Sequence, residues 1–257
     1  MSAKIELIDT HAHIYSSNLL EEISAVIDRS QSEGVTQIYM PNIDSNSIES
    51  MLQVEADFQH CQSMMGLHPC SVKDNYKDEL ALVKEWLTKR SFAAIGEIGI
   101  DLYWDKTFAD EQFDAFEYQI HLSKEYDIPF VIHSREALDL TIAKVSDLQD
   151  GNLRGIFHCF NGTIDQGKAI LDLGFYLGIG GVLTYKNSGV ADTVAQLPIS
   201  GMVLETDSPY LAPVPKRGKP NEPSFLAYIC QKLADVKEMS FQEVALITTK
   251  NAKNIFE

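Results

Sequence analysis

The 257 residues are enough for one large α/β domain, and 45% hydrophobic with 23% charged residues is close to the average of soluble globular proteins. This composition excludes a disordered or fibrous chain. The 37 acidic against 21 basic residues give a formal net charge of −16, which argues against a protein that coats duplex DNA or binds an anionic membrane surface.

Eight short apolar runs rich in β-branched residues recur along the chain, and each predicts a buried strand. They lie at 5–8, 35–40, 63–67, 92–95, 128–132, 153–157, 175–179 and 202–204. Helical periodicity with a charged face predicts helices that include 19–32, 80–90, 110–126 and 137–148. Strands alternating with helices predict a parallel sheet, and eight such units predict a single α/β domain over residues 1–257, a (β/α)8 TIM barrel. A doubly wound open sheet in two domains is the alternative.

Targeting and redox signals are weak in this sequence. The uncharged apolar stretch 173–185 is too short to span a bilayer and contains four glycines. Lys4, Glu6 and Asp9 interrupt any apolar segment near the first residue, which argues against a signal peptide. The four cysteines form no CxxC pair and are expected to be reduced thiols. These signals predict a cytoplasmic protein without a membrane partner.

The first predicted strand leads directly into His11 and His13. Barrel enzymes carry their chemistry in the loops at the carboxyl ends of the strands. Because side chains alternate along a strand, both imidazoles are expected to point into the barrel mouth, where they can chelate a metal ion. An HxH pattern alone also arises by coincidence in a chain with seven histidines.

Later strands add further candidate ligands. The fourth strand ends at Glu97 between glycines, the fifth at His133 and the sixth at His158. The eighth is followed by Glu205 and Asp207 on one face, with Glu205 the deeper. Each histidine alone is more often a structural residue, whereas a buried carboxylate requires a partner.

The joint pattern predicts a metal site. If the barrel forms, four histidines and two or three carboxylates converge on one mouth. Imidazole and carboxylate together suit zinc, iron, manganese or nickel, and six ligands exceed what one tetrahedral ion needs. The sequence therefore predicts two divalent ions. His68, at the end of the third strand, is a candidate for substrate contact rather than ligation.

Two other patterns carry no function in this interpretation. The run GIGG at 178–181 lacks the full GxGxxG motif and its acidic partner, which argues against a dinucleotide cofactor. Ser134 and Ser208 lie near histidines but in no GxSxG motif, which argues against a serine hydrolase.

Taken together, the motifs resemble those of the TatD family of metal-dependent deoxyribonucleases, within the amidohydrolase-like barrel superfamily. The resemblance covers the whole chain: DTHAH at 9–13, GLHP at 66–69, GEIGID at 96–101, HSR at 133–135, HCFNG at 158–162 and ETDSPYLAPVPKRGKPNEP at 205–223. The last segment is the most specific. Ile100 in GEIGID is a conservative change from the usual leucine.

The resemblance implies two divalent ions per subunit, drawn from Zn, Mg, Mn and Fe. It implies His11 and His13 on one ion and Glu97 as the bridge between the two. It implies His133 and His158 on the other ion, and Asp207 as a ligand that also handles protons. Glu97 and Asp207 are then the catalytic carboxylates.

The activity implied is a 3′→5′ exonuclease on single-stranded DNA that uses a metal-bridged hydroxide to cleave phosphodiester bonds. In this hypothesis Arg135 and Arg217 are forked donors for phosphate, with Lys216 and Lys219 as additional charge. Glu205 would orient a metal ligand. With two ions bound, the acidic chain can still capture a DNA 3′ end weakly and in a salt-sensitive way.

Two alternatives keep the same residues. One is a metal-dependent ester or amide hydrolase such as a deacylase of D-aminoacyl-tRNA, because metal-activated water serves carbonyl and phosphoryl centres alike. The other is a barrel that binds metal or nucleic acid without catalysis. The second is disfavoured because every ligand position is filled.

Overall fold

A computed structural model describes residues 5–257, so the first four residues of the predicted domain lie outside the described part. It contains eight strands: β1 Leu7–Asp9, β2 Val35–Pro41, β3 Cys61–Met64, β4 Ile95–Asp101, β5 Phe130–Arg135, β6 Gly155–Phe157, β7 Tyr176–Ile179 and β8 Met202–Leu204. The α-helices are α1 Ser17–Leu20, α2 Ile23–Ser32, α3 Ile48–Asp57, α4 Tyr76–Lys89, α5 Ala109–Tyr126, α6 Leu138–Leu148, α7 Ile164–Asp172, α8 Val190–Gln196, α9 Leu226–Lys237 and α10 Phe241–Phe256. None of the helices in the described range is both long and apolar enough to cross a bilayer.

All strand pairs are parallel and follow chain order, as β1-β2-β3 and as β4-β5-β6-β7-β8. Two isolated parallel bridges join the two groups. Met65 pairs with Ile95, and Ala12 pairs with Ser208. The junction after β1 and β8 has a further hydrogen bond, because the Thr10 amide donates to the Leu204 carbonyl at 3.1 Å. The strands therefore close on themselves, and the predicted (β/α)8 barrel is confirmed.

One layer of apolar side chains fills the barrel directly below the predicted ligands. Val131, Ile156 and Val203 each lie two residues before His133, His158 or Glu205, so alternation places them on the same inner face. Side chains of α10 complete this layer from the amino-terminal end of the barrel. They include Ala252 and Ile255, and the neighbouring Phe256 ring stacks on Tyr39 at 3.8 Å. The interior is a packed core that supports the site from below.

The boundaries of β4 and β5 differ from those predicted. β4 was predicted over 92–95, with Glu97 in the flanking glycine-containing segment, but the strand begins at Ile95 and continues to Asp101. Pairing with β5 resumes beyond a register shift, and Gly99 lies opposite His133. A Cβ at Gly99 would lie 1.9 Å from the His133 carbonyl oxygen, so the absence of a side chain permits this close strand pairing. Glu97 and His133 therefore stand on strands.

The predicted helix 19–32 is also divided, because α1 ends at Leu20 and α2 begins at Ile23. Two helices that are not among those predicted begin with capping boxes. At the start of α7, the Thr163 hydroxyl accepts a hydrogen bond from the Gln166 backbone N–H, and the Gln166 side-chain oxygen accepts one from the Thr163 backbone N–H. Ser240 and Glu243 do the same at the start of α10. The four cysteines are free thiols, as predicted.

The long segment after β8 is anchored at its far end by a partly buried ion pair. The Arg29 guanidinium on α2 donates to both carboxylate oxygens of Glu222, with the shortest contact 2.6 Å. Burial raises the pKa of Glu222, but the hydrogen bonds from Arg29 and Ser224 outweigh burial and lower it. The ionised pair therefore stabilises the fold above the ordinary glutamate pKa, and this stabilisation is lost as the pH falls through the lowered pKa.

We expect Arg29→Ala to lower the free energy of unfolding by about 1 to 3 kcal/mol at pH 7, because it leaves the Glu222 charge mostly buried without its partner. Glu222→Gln should differ most from the wild type at neutral pH and converge with it as the pH falls through the lowered pKa of Glu222. Urea denaturation at several pH values measures both effects. Lys84→Ala, which removes an exposed pair with Glu125, is the control and should change stability far less than Arg29→Ala does. A Glu222→Gln difference independent of pH would contradict this assignment.

Candidate metal centre

One carboxylate, Glu97, lies at the centre of the histidine cluster and is 2% exposed. Its Oε2 lies 3.2 Å from His11 Nε2 and 3.4 Å from His13 Nε2. Its Oε1 lies 2.9 Å from His133 Nδ1 and 3.2 Å from His158 Nε2. The two oxygens thus face two different pairs of imidazoles. A carboxylate so placed can bridge two cations.

The donor atoms around Glu97 Oε2 fit a metal ion. His11 Nε2 and His13 Nε2 are 3.2 Å apart, and both are at similar distances from the carboxylate oxygen. Ligands at 2.0–2.1 Å from a tetrahedral ion are separated by about 3.3 to 3.4 Å. The three residues form one of the groups that could hold an ion. The spacing therefore suits a small divalent cation.

The tautomer of His13 is determined by its other nitrogen. The Tyr15 hydroxyl donates to the Pro41 carbonyl at 2.5 Å, so its oxygen accepts from His13 Nδ1, 2.9 Å away. The Nδ1 atom therefore carries the proton and Nε2 presents a lone pair to the cluster. Tyr15 was not among the sequence candidates. Tyr15 follows His13 by two residues, but β1 ends at Asp9 and Tyr15 lies in a turn, so strand periodicity does not predict this contact.

His133 and His158 each have a second carboxylate beside the ring nitrogen that faces away from Glu97. His133 Nε2 lies 2.9 Å from Asp101 Oδ2, which leaves Nδ1 for the Glu97 side. His158 Nδ1 lies 3.3 Å from Glu205 Oε1, a charge contact without hydrogen-bond geometry, while its Nε2 faces Glu97. These contacts support the predicted orienting role of Glu205. Asp101 was missed by sequence reasoning, although it ends the GEIGID motif, because only its fold position brings it to His133.

His68 also reaches Glu97, with its Nε2 3.5 Å from Oε1, and distance alone would admit it to a group with Glu97 and His133. Its Nδ1, however, accepts the Cys70 amide at 3.0 Å. A neutral His68 therefore carries its proton on Nε2 and faces the cluster as a hydrogen-bond donor. This geometry favours the predicted substrate contact over ligation.

Asp207 lies above the cluster, toward the mouth. Its Oδ1 is 3.7 Å from His11 Nε2, and it forms another possible ligand group with His11 and His158. Its side chain is 13% exposed against 2% for Glu97. Burial raises the pKa of Asp207 to about 6, although neighbouring imidazoles oppose that shift. Asp207 is thus the more accessible of the two carboxylates to solvent protons.

Electrostatic coupling within the cluster is strong. Burial raises the pKa of Glu97, but His68 and His11 outweigh burial and hold the pKa well below the usual range. Burial lowers the pKa of His158, whereas Glu97 and Glu205 raise it well above its ordinary value. Glu97 is therefore ionised at neutral pH. Buried imidazoles around an ionised carboxylate form a donor set suited to cations.

The glycine run at 178–181 proves to be part of this site rather than a nucleotide loop. A Cβ at Gly178 would lie 2.2 Å from Glu205 Oε2, whereas one at Gly180 would lie 3.6 Å from Glu205 Oε1. Glu205 is fully buried and accepts the Cys159 amide at 2.5 Å. Gly178 therefore makes the space that the Glu205 carboxylate occupies.

Three of the four basic residues predicted to bind phosphate lie against aromatic rings. The Arg135 guanidinium lies 3.9 Å from the Tyr103 ring centroid, and that of Arg217 lies 4.1 Å from Tyr185. Lys216 lies over Phe225 and Tyr228, and Lys219 is exposed. The structure brings none of these cations into contact with Glu97, so any phosphate role is at the edge of the mouth.

Comparison with known proteins places this site in a family. A family model described as "TatD related DNase" matches residues 8–257. The chain belongs to the TatD family. The metal-dependent hydrolase YabD of Bacillus subtilis is 36% identical over 251 residues, covering 97% of this chain and 98% of YabD. TatD-family membership makes this chain a member of a group of metal-dependent hydrolases.

Solved TatD-family structures agree with the barrel. The TatD homologue YjjV of Escherichia coli K12 superimposes with a TM-score of 0.93 at 28% identity, covering 98% of both chains. A TatD-family hydrolase of Entamoeba histolytica gives a TM-score of 0.84 at 23% identity and covers 99% of both chains, which shows similarity of fold. The resemblance found in the sequence motifs is therefore confirmed for family and fold.

Proposed function

We propose that this TatD-family hydrolase is a deoxyribonuclease that removes nucleotides from the 3′ end of single-stranded DNA and depends on two divalent ions. The observation that carries the proposal is the position of Glu97, whose two oxygens face two separate imidazole pairs. Two cations 3.5–4 Å apart are typical of phosphodiesterases and nucleases. Zn, Mg, Mn and Fe are the candidate ions.

The residues that would hold the ions divide into two groups. His11, His13 and one oxygen of Glu97 form the first, and His133, His158 and the other oxygen form the second. Asp207 would close the site on the mouth side. Ions held there supply Lewis-acid polarisation of a phosphoryl group and make nearby water more acidic.

The chain's own groups supply the remaining steps. Asp207 is partly exposed at the mouth, so its carboxylate can accept a proton from the attacking water and pass it to the leaving 3′ oxygen. His68 presents Nε2–H toward the cluster and can donate to a phosphoryl oxygen as negative charge develops. Arg135, at the end of β5, can position the neighbouring phosphate.

Metal depletion tests the proposal directly. After treatment with a chelator and dialysis, we expect cleavage of a 5′-labelled single-stranded oligonucleotide to fall to background. Each candidate metal is then added back separately, and at least one should restore cleavage. Stepwise shortening of the labelled strand would support exonuclease action from the 3′ end. Full activity in protein shown by elemental analysis to be metal-free would overturn the proposal.

Two parallel substrates separate this proposal from its alternatives. A circular single strand has no 3′ end and should remain intact, so its cleavage would replace the exonuclease by an endonuclease. D-aminoacyl-tRNA tests the deacylase alternative. Hydrolysis of that ester with no cleavage of DNA would reject the nuclease assignment and keep the metal centre.

A further inference from the structure

Two adjacent aromatic side chains protrude from the barrel mouth beside the metal centre. Trp104 is 68% exposed and Tyr103 is 48% exposed, and their rings meet edge to face with centroids 4.9 Å apart. Exposing a tryptophan this far forgoes the stabilisation that burial of its ring would give. The mechanism described above does not use either ring.

The loop carrying these rings is fixed by the carboxylate that holds a candidate metal ligand. Asp101 Oδ1 accepts the amides of Tyr103 and Trp104 at 2.9 and 3.1 Å. Its other oxygen, Oδ2, contacts His133 Nε2. The backbone beneath the two rings is therefore ordered before any ligand arrives, which reduces the entropy cost of binding.

Arg135 lies beside both exposed aromatic rings. Its guanidinium lies 3.9 Å from the Tyr103 centroid and 5.2 Å from that of Trp104. Arg135 follows His133 by two residues on β5, so it connects the aromatic pair to the centre. A guanidinium beside exposed rings is a surface on which bases stack, because both present flat faces.

A groove of about 740 Å³ continues from this cluster. Its volume lies within the range of small-molecule sites. The lining residues lie in the last part of β5 or after the carboxyl ends of β5, β6 and β7, and they include Ser134, Asn161, Gly162, Val182 and Ser188. One end of the groove is therefore within a few residues of His133 and His158.

Charge in the groove favours bases over phosphates. Glu136 and Asp139 line it together with Arg135, so the groove lacks the basic track that follows a phosphate backbone. The carboxylates of Glu136 and Asp139 would repel a phosphate but not a neutral base. The exposed side-chain amide of Asn161 can contact base edges. The phosphate next to the stacked base would then lie toward Arg135 and the metal centre.

We propose that Tyr103, Trp104 and Arg135 form a stacking site for one unpaired DNA base, with the groove receiving the adjacent nucleotide, so that this site selects single strands over duplex. The inference rests on the proposed nuclease function. A base inside a duplex is already stacked and paired on both sides and cannot occupy the site without being extruded.

Binding can be measured without catalysis, because the chain has only two tryptophans. In Trp86→Phe, the ring on α4 is replaced by a similar one and Trp104 becomes the only tryptophan reporter. We expect a short single-stranded oligonucleotide to quench its fluorescence in metal-free protein, and a blunt duplex or an abasic strand of equal length to quench far less. Equal quenching by the abasic strand, or none by the normal strand, would overturn the stacking site.

Kinetics provide the second readout. Trp104→Ala should lower kcat/KM on single-stranded DNA by about 5- to 150-fold, the range for one stacked base, and Trp104→Phe should restore most of it. Hydrolysis of a small aryl phosphodiester should change little. Tyr118→Ala, at a 37% exposed ring on α5 that does not line the groove, is the control. If the wild type cleaves DNA and Trp104→Ala does so equally well, the stacking site is wrong; if the wild type cleaves no DNA, the nuclease proposal fails instead.

Discussion

Glu97→Ala should reduce hydrolysis by about 1000-fold or more and lower the metal content of the purified protein, because one side chain contributes a ligand atom to both candidate ion sites. Glu97→Gln should retain the shape of the side chain but lose its charge. The remaining imidazoles would then face each other without the carboxylate that balances a bound cation. Elemental analysis and cleavage rates measured on the same preparations would separate loss of metal from loss of catalysis.

The matched control is Glu117→Ala on α5. Glu117 is 44% exposed and pairs with Lys144, so its removal takes away one negative charge far from the metal centre. We expect normal metal content and normal rates from this variant. A Glu97→Ala protein with wild-type activity would contradict the bridging role, whereas one with normal metal content but no activity would limit Glu97 to positioning the reacting groups.

Gly178→Ala should damage the site although it adds only one methyl group. The added Cβ would lie 2.2 Å from Glu205 Oε2, in a region where Glu205 is fully buried. Moving this carboxylate disturbs both the Cys159 amide and His158. We expect a loss of about 1 to 3 kcal/mol in unfolding free energy from overpacking, and a 10- to 100-fold loss of metal affinity or activity from the displaced ligand partner.

Gly180→Ala is the internal control for this prediction. Its Cβ would lie 3.6 Å from Glu205 Oε1, an ordinary contact distance, in the same glycine run. Its backbone is extended, so alanine meets no conformational barrier. Chemical denaturation and metal titration of the two variants should therefore differ clearly. Equal behaviour of both variants would show that Gly178 does not make room for Glu205.

Much of this architecture could be predicted because it depends on local pattern. Apolar runs separated by amphipathic stretches are sufficient to indicate eight parallel strands, and a closed barrel then brings the residues after those strands to one mouth. The convergence of His11, His13, His133 and His158 on Glu97 follows from that topology. The strand limits around Glu97 were wrong, because the apolar run ends at Ile95 whereas the strand continues through the glycines, and Gly99 pairs closely with His133.

The residues that hold the ligands were harder to find. Tyr15 and Asp101 act through the second nitrogens of His13 and His133, and such contacts depend on side-chain geometry rather than on spacing. The same applies to His68, whose tautomer is set by the amide of Cys70. A sequence lists the groups that can bind a metal, but it does not show which nitrogen of each imidazole is protonated.

The loop after β4 also bears on how a barrel of this kind can acquire a new substrate. Asp101 contacts the residues at 103 and 104 only through their backbone amides, while its other oxygen contacts His133. Any residue except proline supplies such an amide. The two side chains can therefore be exchanged by mutation while the support of the metal ligand stays intact, so substrate preference can evolve separately from the catalytic centre.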